Sequence, residues 1–316
     1  MKLKGKVAVV AGATRGAGRG IACALGEAGA TVYCTGRSIR GKPATGNRPE
    51  TIEETAEMVI QRGGIGIAVQ CDHTVPDQVK SLFERVTAEQ GRLDILVNDI
   101  WGGEELTEFG KAFWEVSLDK GHAMLECAVF SHIITSHYAA PLMIATGPGV
   151  IFEITDGNCF DYRGNIFYDL VKTSVIRLAF AYARELRKHR IASIAVTPGF
   201  LRSEAMLEHF GVTADNWEEG VKKDPNFIAS ETPYYVGRAI AALASDPNVF
   251  EKSGRVFASW DLAVEYGFTD IDGRRPHWGN YFEETYGKRL KKCDETFYDY
   301  WFNKPDMIEM LFPDWP

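Results

Sequence analysis

Tyr168 and Lys172 stand four residues apart at the start of a segment whose pattern reads as a helix running to about residue 188. That spacing puts both side chains on one helical face. A free phenol ionises near pH 10, too high for an efficient base at neutral pH. An ammonium one turn away favours the phenolate, so the pair could exchange a proton with a reacting oxygen. The spacing alone proves little, since 12 tyrosines supply such pairs by chance. Its place in the chain says more. The pair follows a strand-like run at 150–155 and precedes another at 191–197, which ends in Pro198-Gly199. Strand ends are where open α/β sheets bind ligands.

A second group of residues addresses phosphate. Gly12, Thr14, Arg15, Gly16, Ala17 and Gly18 follow an apolar run at 6–11 and lead into a helix at 17–28. A dinucleotide site needs a tight turn, close backbone approach to pyrophosphate and close helix–sheet packing, and spaced glycines serve all three. The pyrophosphate would sit at the helix N-terminus. The run at 31–35 is followed by Gly36, Arg37 and Ser38, with no acid to hold a ribose 2′-hydroxyl. Arg37, with Arg15 from the turn, is placed to grip a 2′-phosphate, so NADP(H) is expected in preference to NAD(H). Arg40, Lys42 and Arg48 read as solvated loop charges. The positive ring of an oxidised nicotinamide would add to the pull on Tyr168, and Lys172 could also hydrogen-bond the nicotinamide ribose.

The elements that must position these groups alternate. Strand-like runs at 6–11, 31–35, 65–71, 93–98, 150–155, 191–197 and 255–259 are separated by helical patterns. Thr51 and Glu54 form a capping box for a helix to residue 62, and Pro76 fits the first turn of the next. The runs are continuously apolar, as in strands buried on both faces. The expected fold is a Rossmann-type α/β doubly wound sheet of about seven parallel strands with helices on both faces. Residues 1–260 form its nucleotide-binding domain, with 200–232 as a lid segment. Residues 261–316 are an aromatic-rich C-terminal extension, containing Trp278, Tyr281, Phe282, Tyr286, Phe297, Tyr298, Tyr300, Trp301, Phe302, Phe312 and Trp315. It is expected to pack on its own domain or on a neighbouring subunit.

Composition narrows the function. The chain has 316 residues, 45% hydrophobic and 25% charged, with net charge -8 and no basic stripe. Nucleic acid is therefore not an expected partner. No run approaches the roughly 20 apolar residues of a membrane span. The six cysteines are scattered without CxxC spacing and read as reduced core residues of a cytoplasmic protein. The histidines lack metal-ligand spacing, so no metal site is expected; His132 and His137 are assigned to core edges or interfaces.

Gly12-x3-Gly16-x-Gly18, Asp72, Asn98, Tyr168-x3-Lys172 and Pro198-Gly199 occur together in an order that resembles the short-chain dehydrogenase/reductase family, over about residues 4–260. The turn from Asn98 to Gly103 and the segment 261–270 are similar to the subgroup called dehydrogenase/reductase SDR family member 1-like. The resemblance implies an NADP-dependent oxidoreductase of CH–OH and carbonyl groups, with Tyr168 as acid/base and Lys172 as its partner. It implies that Asp72 hydrogen-bonds the adenine with His73 beside it, that Asn98 fixes the turn under the cofactor, and that Pro198, Gly199 and Ser203 hold the nicotinamide end. The family's serine, thirteen residues before the tyrosine, falls on Thr155, which can donate to a substrate oxygen; a slide by one residue selects Asp156, which as a carboxylate would oppose phenolate formation. The asparagine of the family's proton relay falls on Ala128.

Trp101, Asp156, Phe160, Tyr162, Phe200 and Met206 are expected to form the substrate pocket. Its apolar character suits a small hydrophobic ketone, aldehyde or secondary alcohol. The resemblance also implies a homodimer or homotetramer, for which the apolar face around Val175, Leu178 and Ala179 offers support. Two other readings share these motifs: a nucleotide-binding sensor or scaffold with little turnover, and a lyase or epimerase on the same fold.

Overall fold

Seven apolar runs pair in one parallel sheet of order β3-β2-β1-β4-β5-β6-β7. The computed structural model describes residues 1–42, 48–159, 161–288 and 292. Along the chain the elements are β1 (Val7–Ala11), α1 (Gly16–Glu27), β2 (Thr31–Gly36), α2 (Ile52–Gln61), β3 (Ile65–Gln70), α3 (Pro76–Gln90), β4 (Ile95–Asn98), α4 (Leu118–Leu125), α5 (Ser131–Thr146), β5 (Gly149–Ile154), α6 (Ile166–Glu185), β6 (Ile191–Thr197), α7 (Glu204–Phe210), α8 (Pro233–Ala244), β7 (Val256–Ala258), α9 (Ser259–Tyr266) and α10 (Trp278–Tyr286). The expected strands are present with ends moved by a residue or two. Thr51 caps α2 by accepting from the Glu54 N–H, and Pro76 opens α3.

Successive strand residues face opposite layers. Ala8 and Val10 pack with Ile21, Leu25, Val236 and Ile240 of α1 and α8. Val7 and Val9 pack with Leu82, Val86, Leu142 and Met143 of α3 and α5. The α1–α8 contact is closest at Gly20, where a β-carbon would lie 2.0 Å from the Pro233 carbonyl oxygen. The helix from α4 to α5 is continuous through a π turn at Glu126–Phe130, which contains Ala128. Among the described residues this one helical stretch, Leu118–Thr146, is long and apolar enough by composition to cross a membrane, which the run-length reading of the sequence missed. Its buried residues include His132, Thr135 and Ser136, a polar face turned into the domain.

Residues 200–232 hold α7 and two 3-10 turns around a small core of Phe210, Trp217 and Phe227. Past β7, Leu262 and Ala263 are buried. Asp270 is also buried, accepts from the N–H and hydroxyl of Thr232 and pairs with Arg202 at 3.5 Å. The described part of the C-terminal extension therefore joins this protomer's packing. Cys293, Phe297, Tyr298, Tyr300, Trp301, Phe302, Phe312 and Trp315 lie outside the described residues. Of the face around Val175, Leu178 and Ala179, Val175 and Ala179 are buried within the chain's own packing, while Leu178 stays half-buried.

Candidate active site

The strand order reverses between β1 and β4, and a cavity of about 720 Å³ opens at the carboxyl ends of the central strands. That is the expected ligand position for such a sheet, and the volume suits a small-molecule ligand. Gly12, Thr14, Arg15, Gly16 and Ala17 form one wall. Gly12 has φ +90°, and a β-carbon there would lie 2.3 Å from the Asp99 carbonyl oxygen. Gly18 sits behind this wall, where a β-carbon would meet the Gly12 carbonyl oxygen at 2.3 Å. The N-terminus of α1 already attracts negative charge. The Gly16 N–H donates to the Glu204 carboxylate at 2.8 Å, and the Gly18 N–H donates to Asp99. Burial nevertheless pushes Asp99 up to about 7, against the opposing pull of Lys172 and that N–H.

Arg15 and Arg37 both line the cavity. The buried Arg15 Nε has no hydrogen-bond partner; its ion pair with Glu50 is 3.4 Å long. Burial lowers the Arg15 guanidinium, with Glu50 acting in the opposite direction. A guanidinium N–H held only by this ion pair beside a glycine cradle fits a nucleotide's phosphates. Arg37 lies 4.0 Å from Asp72. Asp72 accepts from the Thr74 N–H and hydroxyl at 3.0 and 2.7 Å, and also lines the cavity. Two expectations change here. Arg48 is not a solvated charge, because it pairs with Glu50 and Glu208. His73 reaches the cavity wall, but its ring nitrogens lie 2.8 Å from the Thr35 and Thr135 hydroxyls, so its ring serves the core rather than an adenine.

Asn98 is fully buried behind the cavity. Its amide donates to Ser136 at 3.0 Å and to the Glu153 carboxylate at 2.7 Å. Glu153 also meets His132 Nδ1 at 2.6 Å, while His132 Nε2 meets the Ile100 carbonyl at 3.0 Å. His132 is thus an interior residue, not an edge one. It holds the turn that carries Asp99 and Trp101. Helical patterning could not separate it from the surface histidines.

On α6, Asn165 caps the helix by accepting from the Phe167 and Tyr168 N–H groups, both at 3.0 Å. This fixes Tyr168, whose ring also meets Trp101 and Phe109 edge-on at 5.4 and 5.6 Å. The Lys172 ammonium lies 4.2 Å from the Trp101 ring centre and 5.5 Å from that of Tyr168. Burial lowers Lys172, while Asp156, Asp99 and Glu104 oppose that shift. Tyr168 and Lys172 both line the cavity.

Thr155 and Asp156 both line the cavity. The Thr155 hydroxyl donates to the Lys172 carbonyl at 2.7 Å, which turns its proton into the backbone rather than toward a substrate oxygen. Asp156 faces the phenol instead: the Tyr168 hydroxyl donates to its carboxylate at 2.7 Å. Burial, followed by the Asp156 charge, drives Tyr168 far above the ordinary phenol range. Arg163, which sequence reading passed over, clamps this turn by donating to the Asp156 carbonyl at 2.6 Å and to Asp169 at 2.8 Å.

Pro198, Gly199, Ser203, Phe200, Met206 and Trp101 line the far side of the cavity. Ser203 caps α7 by accepting from the Met206 N–H. Tyr162 does not join them; it is 62% exposed and points away. Phe160 lies outside the described residues. Asp99, Glu104, Trp260 and Trp278 also line the cavity, a placement sequence reading missed. The usable signal for the first two was their position just after a strand that ends in the cavity.

A family model described as Enoyl-(Acyl carrier protein) reductase matches residues 12–253. Dehydrogenase/reductase SDR family member 1 of Mus musculus is 39% identical over 277 residues, covering 86% of this chain and 85% of that protein. A 7alpha-hydroxysteroid dehydrogenase of Clostridium sardiniense is 31% identical over 209 residues, covering 66% and 75%. Among solved structures, a short chain dehydrogenase of Mycobacterium thermoresistibile matches with TM-score 0.72 and 22% identity, over 88% of this chain and 92% of that one. A hydroxysteroid dehydrogenase of Escherichia coli matches with TM-score 0.66 and 24% identity, over 81% and 96%. These two structural likenesses speak to the fold alone.

Proposed function

Because the chain belongs to the short-chain dehydrogenase/reductase family, oxidoreductases that use a nicotinamide cofactor on CH–OH or carbonyl groups, we propose that it interconverts a hydrophobic ketone or aldehyde and its alcohol with NADP(H). The observation that carries this reading is the meeting of Tyr168, Lys172 and the glycine cradle in one cavity. When bound, the nicotinamide supplies or receives the hydride.

The chain's own residues do the rest. Gly12, Gly16 and Ala17 offer backbone for close approach of the pyrophosphate. Arg15 and Arg37 provide the guanidinium groups for a 2′-phosphate, and Asp72 lies on the same wall. Pro198, Gly199 and Ser203 border the nicotinamide end. Tyr168 Oη exchanges a proton with the substrate oxygen, and Lys172 provides the positive charge beside it. Trp101, Phe200, Met206, Trp260 and Trp278 form an apolar surround that favours a hydrophobic substrate and excludes water from the reacting atoms.

Replacing Tyr168 by Phe removes the exchangeable proton and leaves the cradle untouched. Turnover, followed by nicotinamide absorbance over a panel of ketones and alcohols, should fall at least 100-fold or so, with nucleotide binding by fluorescence nearly unchanged. Undiminished turnover in Tyr168→Phe would defeat the assignment. Tight nucleotide binding by the unaltered protein with no oxidation or reduction of any substrate would favour a sensor instead.

A further inference from the structure

We propose that Asp156 is the store for the reaction's proton, filled and emptied through Tyr168. This rests on the reading that Tyr168 meets the reacting oxygen. The Tyr168 hydroxyl already points its proton at Asp156 Oδ2 over 2.7 Å. The turn that carries Asp156 is clamped at both ends: Arg163 holds the Asp156 carbonyl at 2.6 Å, and the Gly157 N–H donates to the Thr197 hydroxyl at 2.7 Å.

Two features disfavour a free phenolate here. It would stand at hydrogen-bond distance from a carboxylate, and like charges that close resist joint ionisation. On the other flank of the tyrosine, Ala128 is buried against Met124 and Val171 and offers no side-chain hydrogen bond. A proton leaving Tyr168 therefore has a ready acceptor on the Asp156 side.

In alcohol oxidation the steps balance as follows. The substrate O–H bond breaks and its proton joins Tyr168 Oη. The phenol's former proton passes to Asp156 Oδ2. The carbinol hydride would be taken by a bound oxidised nicotinamide. The products are a carbonyl, a reduced nucleotide and a neutral Asp156, with Tyr168 a phenol before and after; Asp156 lines the cavity and sheds this proton to solvent before the next oxidation. Carbonyl reduction runs the same transfers backwards. The charged and titratable groups facing the pair are Lys172 from α6, Arg163 from the preceding loop, and Asp99 and Glu104 from the segment after β4.

The test compares Asp156→Asn, which keeps an acceptor but cannot take a proton, with Asp156→Ser, which offers a hydroxyl in its place. Alcohol oxidation should fall about 100-fold or more in Asp156→Asn. Asp156→Ser should recover part of that rate, with a profile that now rises with pH through Tyr168 ionisation. In nucleotide-free protein, the Tyr168 ring-carbon NMR signal, assigned by its absence in Tyr168→Phe, should titrate at least one pH unit lower in both Asp156 variants. Wild-type oxidation with an unchanged pH profile in Asp156→Asn would overturn the proposal, as would the same Tyr168 titration in all three proteins. If Asp156→Asn fails to fold, Asp156→Ser alone decides through those two readouts. Activity persisting in Tyr168→Phe would sink the functional reading itself; an inactive Tyr168→Phe beside a normal Asp156→Asn would sink only the proton store.

Discussion

Acidification should destabilise this protein in a way that traces to one ring. His73 is 3% exposed and sits between two threonines. Thr135 spends its hydroxyl proton on the Ser131 carbonyl at 2.6 Å, so it accepts from His73 Nδ1. Nε2 lies 2.8 Å from the Thr35 hydroxyl, which also reaches the Val10 carbonyl at 3.1 Å, so no water reaches either ring nitrogen and no anion among the described residues stands beside them. Burial, with His132 adding to it, lowers His73 to about 3. The unfolded ring titrates near 6.5. The sign follows: above the unfolded value both states are neutral and the full stability is present. Below it, the unfolded chain takes a proton that the folded chain refuses, and stability drains as pH falls toward about 3. From about pH 7.5 to about pH 5.0 the loss is roughly 2 kcal/mol, since each unit below the unfolded value costs about 1.4 kcal/mol. Urea unfolding of wild type and His73→Gln at both pH values isolates this contribution, because the other titrating groups cancel in the difference. The wild type should lose about 2 kcal/mol more than the variant. Parallel losses in the two proteins would refute the argument.

Arg37→Ala should weaken NADPH binding by roughly 10- to 100-fold, the worth of a charge-assisted hydrogen bond, and leave NADH nearly unchanged in fluorescence titrations; equal losses for both would remove Arg37 from the 2′-phosphate. Glu204→Gln should bind the dinucleotide several-fold tighter, about 1 kcal/mol, because the carboxylate on the Gly16 N–H competes with pyrophosphate for the same helix end; unchanged or weaker binding would contradict that competition. His132→Ala leaves the Glu153 carboxylate, which is 0% exposed, with the Asn98 amide but no partner on Oε2, and should cost about 3 kcal/mol in urea unfolding, whereas a cost below about 1 kcal/mol would mean that the Glu153–His132 contact contributes little.

The sheet was readable because its strands are buried on both faces, and β6 was placed to the residue at Ile191–Thr197. The glycine turn and the Tyr168–Lys172 spacing were readable because each is a local pattern on one element. The identity of the phenol's partner was not. Thr155 and Asp156 are neighbours just past β5, and in extended chain neighbouring side chains point to opposite faces. A one-residue ambiguity in spacing is thus an ambiguity in direction, which the Thr155–Lys172 and Tyr168–Asp156 hydrogen bonds resolve. Glu204 at the α1 N-terminus lies 188 residues from Gly16, a separation no local pattern bridges. Tyr162 was expected in the pocket with Trp101 and Phe160 as an apolar wall, but it is exposed and absent from the cavity lining.

Trp260 and Trp278 come from chain that follows the last strand, yet they border the same cavity as the glycine turn at the other end of the polypeptide. The site is consequently assembled only when both ends of the described chain have docked. Trp278 stands edge-on to Phe200 at 6.0 Å, while Asp270 ties the intervening segment to Thr232 and Arg202. Exchange of this late segment would therefore reshape the cavity while leaving the sheet, the glycine turn and the Tyr168–Lys172 helix unchanged.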